Sequence, residues 1–102
     1  MKNMNWRGVM PAITTPFAGQ LNIDHAFAAK HCNWLVDDGC TGIVTPGSLG
    51  ESATLTFDEK LALWSTVVDA VGDRVPVDAA IASLSTAEAI ALSKSAADAG
   101  CS

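Results

Sequence analysis

The segment Gly47-Ser48-Leu49-Gly50 is the part of the sequence best suited to chemistry, because it places a hydroxyl between two glycines just after an apolar run, Thr41–Thr45. Glycines let the backbone approach an anion closely and turn its N–H groups towards it. Such a loop can bind a small anion through backbone N–H groups and the Ser48 hydroxyl. A second interpretation stays open on the pattern alone, since Gly47 and Gly50 can also serve only to make a tight strand-to-helix turn.

Other residues with titratable side chains fit structural roles. Lys30, Lys60 and Lys94 fall on predicted helices, which predicts solvated ammonium groups rather than nucleophiles. His25 and His31 lie on the first predicted helix and are predicted to be surface or packing residues. No residues have the spacing of a metal site, and neither a metal nor a cofactor is expected.

Apolar, strand-like segments alternate along the chain with longer helix-like segments. Strands are predicted near 8–15, 41–45 and 75–81, and helices near 24–38, 57–71 and 86–99. The strand-like segments do not alternate with polar residues, which is typical of parallel strands covered on both faces. Two helices begin with a hydroxyl residue and a glutamate three positions later, at Thr56 and Ser85, and each pattern predicts a capping box. The predicted buried face of the second helix carries Leu61, Trp64, Val68 and Val71.

The spacing of the strands favours a (β/α)8 barrel. Their predicted starts recur at intervals close to the ~31 residues expected when about 250 residues are shared among eight βα units. An open doubly wound sheet has a similar rhythm, but no Gly-x-Gly-x-x-Gly follows the first strand. The chain is therefore predicted to be α/β, with residues 1–102 forming the N-terminal portion of a single TIM-barrel domain and supplying about its first three βα units. We expect these strands to pair in parallel in the order one, two, three.

Composition excludes several other classes of protein. The net charge is −5 and the few lysines and arginines are scattered singly, so no basic surface for nucleic acid or an anionic membrane is expected. No apolar stretch approaches the roughly 18 residues of a membrane span, and the N-terminus lacks a signal-peptide core, which favours a cytoplasmic location. The odd number of cysteines predicts small buried hydrophobic residues at Cys32, Cys40 and Cys101.

Four segments together resemble the dihydrodipicolinate synthase / N-acetylneuraminate lyase family. They are Gly8-Val9-Met10-Pro11-Ala12-Ile13-Thr14-Thr15-Pro16-Phe17, Gly47-Ser48-Leu49-Gly50-Glu51-Ser52-Ala53-Thr54-Leu55, Arg74-Val75-Pro76-Val77 and Ser85-Thr86-Ala87-Glu88-Ala89. The resemblance spans nearly all of this chain but only about the first third of a typical member. It implies a (β/α)8 barrel that binds pyruvate or another 2-oxo acid as a Schiff base on a lysine, as a class I aldolase-type lyase or dehydratase. It also implies a homo-oligomer, either a tetramer or a dimer.

The same resemblance assigns roles to residues of this sequence. It implies that Gly47, Ser48 and Leu49 receive the substrate carboxylate, and that the Ser48 hydroxyl joins a proton relay with tyrosines, which this chain lacks. Thr14 and Thr15 are expected to line the floor of the site. Leu49 stands where many members carry a second hydroxyl, so one side-chain donor is lost. The Schiff-base lysine and its tyrosine partner are expected beyond residue 102.

Two alternatives to catalysis stay open. A relative that keeps the loop but has lost the lysine would be a keto-acid-binding or regulatory protein. A chain complete at 102 residues would leave strand edges that self-association must cover.

Asp78 is an acid in an otherwise apolar predicted strand. Strand alternation turns it away from Val77 and Ala79, towards the interior of a barrel. Because an unpaired carboxylate there would cost several kcal/mol, we expect the Asp78 carboxylate to accept hydrogen bonds.

Overall fold

The computed structural model describes residues 4–102, which form a two-stranded parallel sheet and three helices. The helices are α1 (His25–Asp37), α2 (Phe57–Val71) and α3 (Thr86–Ala99), and the strands are β1 (Ile43–Thr45) and β2 (Val77–Ala79). Two 3-10 turns, Ser48–Gly50 and Ser52–Thr54, connect β1 to α2. No helix in this described part of the chain is long and apolar enough to cross a membrane. Lys2, which like the other lysines is not predicted to be the Schiff-base nucleophile, lies outside the described residues.

The two strands pair in parallel, as predicted, with Ile43 opposite Val77 and Thr45 opposite Ala79. Both are shorter than the predicted ranges 41–45 and 75–81. A proline limits each strand at one end, Pro46 after β1 and Pro76 before β2, and proline has no N–H to extend a ladder. The strands thus run in the expected parallel direction but are shorter than predicted.

The segment predicted as the first strand, residues 8–15, is not a strand. It runs beside β1 and forms a parallel bridge between Ala12 and Val44. Ile13 N–H donates to the Val44 carbonyl at 3.1 Å, and Val44 N–H donates to the Pro11 carbonyl at 2.9 Å. Pro11 accepts but cannot donate, so the ladder is interrupted there, and the next bond along the segment runs from Thr41 N–H to the Val9 carbonyl at 2.8 Å. The order of the three segments is nevertheless the predicted one, with β1 in the middle.

The helices cover one face of the sheet. Ile43 and Thr45 are fully buried, while Val44 between them is half-buried. The indole N–H of Trp64 on α2 donates to the Thr45 carbonyl at 2.8 Å, which fixes α2 against the end of β1. The core on this face is completed by Ala28, Cys32, Leu63, Val67, Val71, Val77, Leu92 and Ala96. The opposite face carries side chains that stay exposed or half-buried, namely those of Ala12, Thr14, Val44 and Asp78.

The buried face of α2 is wider than the predicted one. Leu61 and Val68 pack against the core, as predicted, but are only partly buried. The fully buried positions are Lys60, Leu63, Trp64, Val67 and Val71. Because Trp64 points at the end of β1, the residues that share its side of the helix are buried with it. One of them is a lysine, which brings a charge into the core side of α2.

Helix capping follows the sequence closely, with one exception. Thr56 and Glu59 make both bonds of a capping box, at 3.1 Å to the Thr56 hydroxyl and 2.9 Å to the Glu59 carboxylate. At α3, the Ser85 hydroxyl accepts from Glu88 N–H at 3.1 Å, but Ser85 N–H donates to the Ser83 hydroxyl at 3.2 Å. The prediction of a second complete box is wrong, because Ser83 takes the donor that Glu88 was expected to accept.

Candidate functional site

The loop that follows β1 has a buried half and an exposed half. Gly50 and Ser52 are buried, whereas Ser48 is exposed and the Leu49 side chain is 77% exposed. The loop emerges from the carboxyl end of β1, and in parallel α/β proteins ligands bind at that end of the strands. The loop therefore presents Ser48 and Leu49 to solvent from a fixed base.

Hydrogen bonds inside the loop leave the adjacent N–H groups of Ser48 and Leu49 free. Gly50 N–H donates to the Gly47 carbonyl at 3.0 Å, and Glu51 N–H donates to the Ser48 carbonyl at 3.1 Å. Ser52 N–H also donates to Gly47, at 3.3 Å. Within residues 4–102, the N–H groups of Ser48 and Leu49 make no backbone hydrogen bond. Adjacent free N–H groups beside an exposed hydroxyl are suited to donate hydrogen bonds to the oxygens of a small anion.

Thr15 holds the buried half of the loop. Its hydroxyl donates to the Gly50 carbonyl at 2.6 Å, and its side chain is 5% exposed. A Cβ at Gly50 would lie 3.0 Å from the Ile13 carbonyl oxygen and 3.3 Å from the Thr15 hydroxyl, so this approach requires glycine. Thr15 thus lies behind the loop. Thr14 is exposed on the other side of the segment.

A cavity of about 650 Å³ lies on the helix side of the loop, bordered by Gly47, Ser48, Ser52, Lys60 and Glu88. Lys60 is buried as a residue, with only 5% of its surface exposed, but its ammonium stays in contact with solvent, as predicted. Residue 60 lies near the start of α2, on the buried side, and borders the cavity together with residues of the loop. Among the described residues the Lys60 ammonium has no hydrogen-bond or ion-pair partner, and the buried Ser52 hydroxyl has none either.

Sequence reasoning missed Lys60, Ser52 and Glu88 as residues that line this cavity. A signal for Lys60 was present, since it precedes Trp64 by one helical turn and Leu63 by three residues. Lys30 and Lys94 are exposed as predicted.

Comparison with known proteins identifies the family to which the chain belongs. A sequence model of the Dihydrodipicolinate synthetase family matches residues 5–102. The chain belongs to this family. The match takes in the loop at 47–50, the Thr15 segment and all three helices.

Relatives within the dihydrodipicolinate synthetase family are similar in sequence and in structure. The chain is 48% identical over 97 residues to the 4-hydroxy-tetrahydrodipicolinate synthase of Heliobacterium modesticaldum, covering 95% of this chain and 32% of that protein. It superposes on dihydrodipicolinate synthase from Bacillus anthracis with a TM-score of 0.91 and 42% identity, covering 97% of this chain and 34% of the other. For the Acinetobacter baumannii enzyme, crystallised with pyruvate, the TM-score is 0.90, the identity 31% and the coverage 95% and 33%. The chain thus spans about a third of the length of the family members it matches.

Asp78 does not make the hydrogen bonds predicted for it. It is half-buried in β2, and its carboxylate accepts no hydrogen bond from the described residues. Burial raises the pKa of Asp78 above its ordinary value. The expectation was wrong because the face of the sheet that carries Asp78 and Val44 is left open, so water reaches the carboxylate.

The cysteines and histidines of this family member occupy structural positions. Cys32 and Cys101 are buried, and burial raises the pKa of each thiol to about 11; the nearby Asp78 carboxylate adds to the rise at Cys101. Thiols of such high pKa are protonated at neutral pH and are poor nucleophiles. His25 Nδ1 lies 2.6 Å from the Thr66 hydroxyl, and His31 packs between two aromatic rings of α1. In the described part of the chain, no three His, Cys, Asp or Glu residues lie close enough to hold a metal.

Proposed function

We propose that this chain is the N-terminal part of a (β/α)8-barrel enzyme that acts on pyruvate or a related 2-oxo acid through a lysine Schiff base. In this proposal the loop Gly47-Ser48-Leu49 binds the carboxylate of the substrate. Two findings support the proposal. The chain belongs to the dihydrodipicolinate synthetase family, and its relative from Acinetobacter baumannii was crystallised with pyruvate. The chemistry would be that of a synthase, aldolase or dehydratase.

The observation that carries the proposal is the pair of free N–H groups at Ser48 and Leu49, next to the Ser48 hydroxyl. A carboxylate has two oxygens, each of which accepts several hydrogen bonds. Hydrogen bonds to a charged acceptor are shorter and stronger than those between neutral groups. A loop that holds its donors in place before the ligand arrives loses little conformational entropy on binding.

In the proposed reaction, a lysine amine attacks the keto carbon and the carbonyl oxygen leaves as water, so that a C=N bond replaces the C=O bond. The protonated imine then accepts electrons from the adjacent carbon–carbon or carbon–hydrogen bond as that bond breaks. The Ser48 hydroxyl contributes by passing a proton, because it can both donate and accept a hydrogen bond. The attacking lysine and the tyrosines of the relay belong to residues beyond 102.

Lys60 is not assigned as this nucleophile, although it lines the cavity beside Ser48. The family resemblance puts the reacting lysine on the sixth strand, whereas Lys60 is on α2. Peptide mapping after trapping with pyruvate and borohydride distinguishes the two lysines.

A chimaera tests the proposal. Residues 1–102 replace the matched N-terminal third of the Heliobacterium modesticaldum synthase, to which they are 48% identical. We expect the chimaera to turn over and to be trapped by pyruvate and borohydride as a single reduced adduct, detected by intact mass and mapped to a lysine beyond the replaced third. The unmodified synthase is the positive control.

Two results with the chimaera would contradict the proposal. A chimaera that folds, by circular dichroism and sedimentation, yet is trapped only at far higher pyruvate concentrations than the parent synthase would show that this loop does not bind the carboxylate. An adduct mapped to Lys60 would overturn the assignment of the nucleophile.

A further inference from the structure

Among the described residues, the Thr15 hydroxyl makes the one hydrogen bond that joins the loop at 47–54 to another segment of the chain. This hydroxyl reaches the Gly50 carbonyl from 35 positions away in the sequence. Apart from this bond, the hydrogen bonds of the loop at 47–54 within residues 4–102 stay inside the loop. The position of the loop relative to the neighbouring segment thus depends on this one side-chain bond and on packing.

We propose that Thr15 is a positioning residue for the carboxylate-binding loop, an inference that rests on the proposed function. The bond fixes the direction of the Gly50 carbonyl, which belongs to the peptide that ends the first 3-10 turn. Glu51, the next residue, has a left-handed backbone with φ of 61°, so the chain reverses just after this peptide. Because Thr15 holds the Gly50 end of the turn, the free N–H groups of Ser48 and Leu49 at its start stay turned towards solvent.

The packing around Gly50 makes this arrangement rigid. The missing side chain lets the Gly50 backbone sit against the Ile13 carbonyl and the Thr15 hydroxyl, at 3.0 and 3.3 Å from where a Cβ would be. Thr15 and Gly50 are both buried, so water does not readily replace the hydroxyl as a partner of the carbonyl. Loss of this bond therefore frees the loop rather than exchanging one partner for another.

Three substitutions in the chimaera test the inference. Thr15→Val keeps the shape of the side chain and removes the hydroxyl, whereas Thr15→Ser keeps the hydroxyl. Thr54→Val is the matched control, because the Thr54 hydroxyl also donates to a loop carbonyl, that of Glu51 at 3.1 Å, but is exposed. Water can take over the role of an exposed hydroxyl.

We expect Thr15→Val to lower kcat/KM for the 2-oxo acid about tenfold, mainly by raising KM, because the displaced loop carries the carboxylate-binding N–H groups together with the Ser48 hydroxyl. Thr15→Ser and Thr54→Val should each leave KM within about twofold of the unmodified chimaera. A purely structural Thr15 would lower the melting temperature of Thr15→Val without moving KM, and that result would overturn the inference. Loss of kcat alone would overturn it too.

Hydrogen–deuterium exchange gives a readout that does not depend on catalysis. In the ligand-free chimaera, Thr15→Val should speed exchange in the peptide that contains residues 47–52, and Thr54→Val should not. Unchanged exchange in Thr15→Val means that Thr15 does not hold the loop, whatever the enzyme acts on. If exchange responds but the unmodified chimaera is not trapped by pyruvate, the proposed function fails and the link between loop position and substrate binding fails with it.

Discussion

In the proposed site, Ser48 and Leu49 would offer a carboxylate the same backbone group but very different side chains. Both N–H groups are free in the described structure. Ser48 adds a hydroxyl, whereas the Leu49 side chain is 77% exposed and adds no donor. The side-chain chemistry of the proposed site therefore depends on Ser48 alone within this loop.

Ser48→Ala in the chimaera tests the role of that hydroxyl. Removing a hydrogen bond to a charged group should lower kcat/KM on the best 2-oxo acid about ten- to a hundredfold. The melting temperature should change little, because Ser48 is exposed and the hydrogen bonds of the loop come from its backbone. Wild-type kinetics would contradict the assignment, and an unfolded variant would show that the residue is structural.

The buried thiols predict how stability depends on alkaline pH. The folded chain holds the pKa of Cys32 and Cys101 at about 11, above the ordinary value of 9.0. Above pH 9 the thiols of the unfolded chain ionise while those of the folded chain stay protonated, so the proton-linked stability falls as the pH rises through this window. Urea midpoints of the chimaera between pH 8 and pH 11 should decrease more steeply than those of a Cys32→Ala, Cys101→Ala double variant. Equal slopes would contradict the raised pKa values.

At the scale of elements, α2 combines a strong N-terminal cap with a buried lysine. Thr56 and Glu59 satisfy each other's N–H groups at the start of the helix. One turn later Lys60 lies on the same side as Leu63 and Trp64, next to the cavity under the loop. The aliphatic stem of Lys60 packs among these neighbours, while its ammonium stays in contact with solvent and has no described partner.

Lys60→Met should stabilise the chimaera. Methionine keeps the unbranched apolar stem and removes the charge beside the apolar core, so the free energy of unfolding should increase by about 1 kcal/mol in urea denaturation. Lys94→Met is the control, because Lys94 is exposed on α3 and its replacement should change stability by less than about 0.5 kcal/mol. A destabilised Lys60→Met would instead indicate that the ammonium has a partner in the complete barrel.

At the scale of the whole molecule, helices cover one face of the sheet and leave the other open. The open face carries Val44 and Asp78. On α1, the side chains of Phe27 and Trp34 are 52% and 59% exposed, with His31 between them at ring-centroid distances of 6.0 and 5.9 Å. In a closed barrel the first helix has a neighbour on each side, and here only α2 is present.

The 102-residue chain by itself should therefore self-associate. Exposed apolar surface and unpaired strand edges favour contact between copies. Sedimentation velocity should detect oligomers whose proportion rises with concentration, and Trp34→Glu should reduce them. The chimaera, whose barrel covers α1, should not depend on Trp34 in this way. A monomeric 102-residue chain at all concentrations would contradict this prediction.

The sequence by itself determined those features that depend on neighbouring residues. Helix ends were predictable because capping residues and terminal glycines act within one turn, as at Thr56 and Gly100. The position of the loop at 47–50 was predictable from its glycines. The family followed from the order of four motifs, which a single sequence displays without any knowledge of packing.

Only the tertiary structure decided the features that depend on distant contacts. The segment at 8–15 keeps its place beside β1 but forms a bridge rather than a strand, because Pro11 interrupts its ladder. Lys60 borders the same cavity as Ser48, Ser52 and Glu88, and this shared lining could not be predicted from local sequence. Thr15 meets Gly50 across 35 positions of sequence. Such contacts arise when whole elements pack together, so their partners cannot be read from the residues on either side.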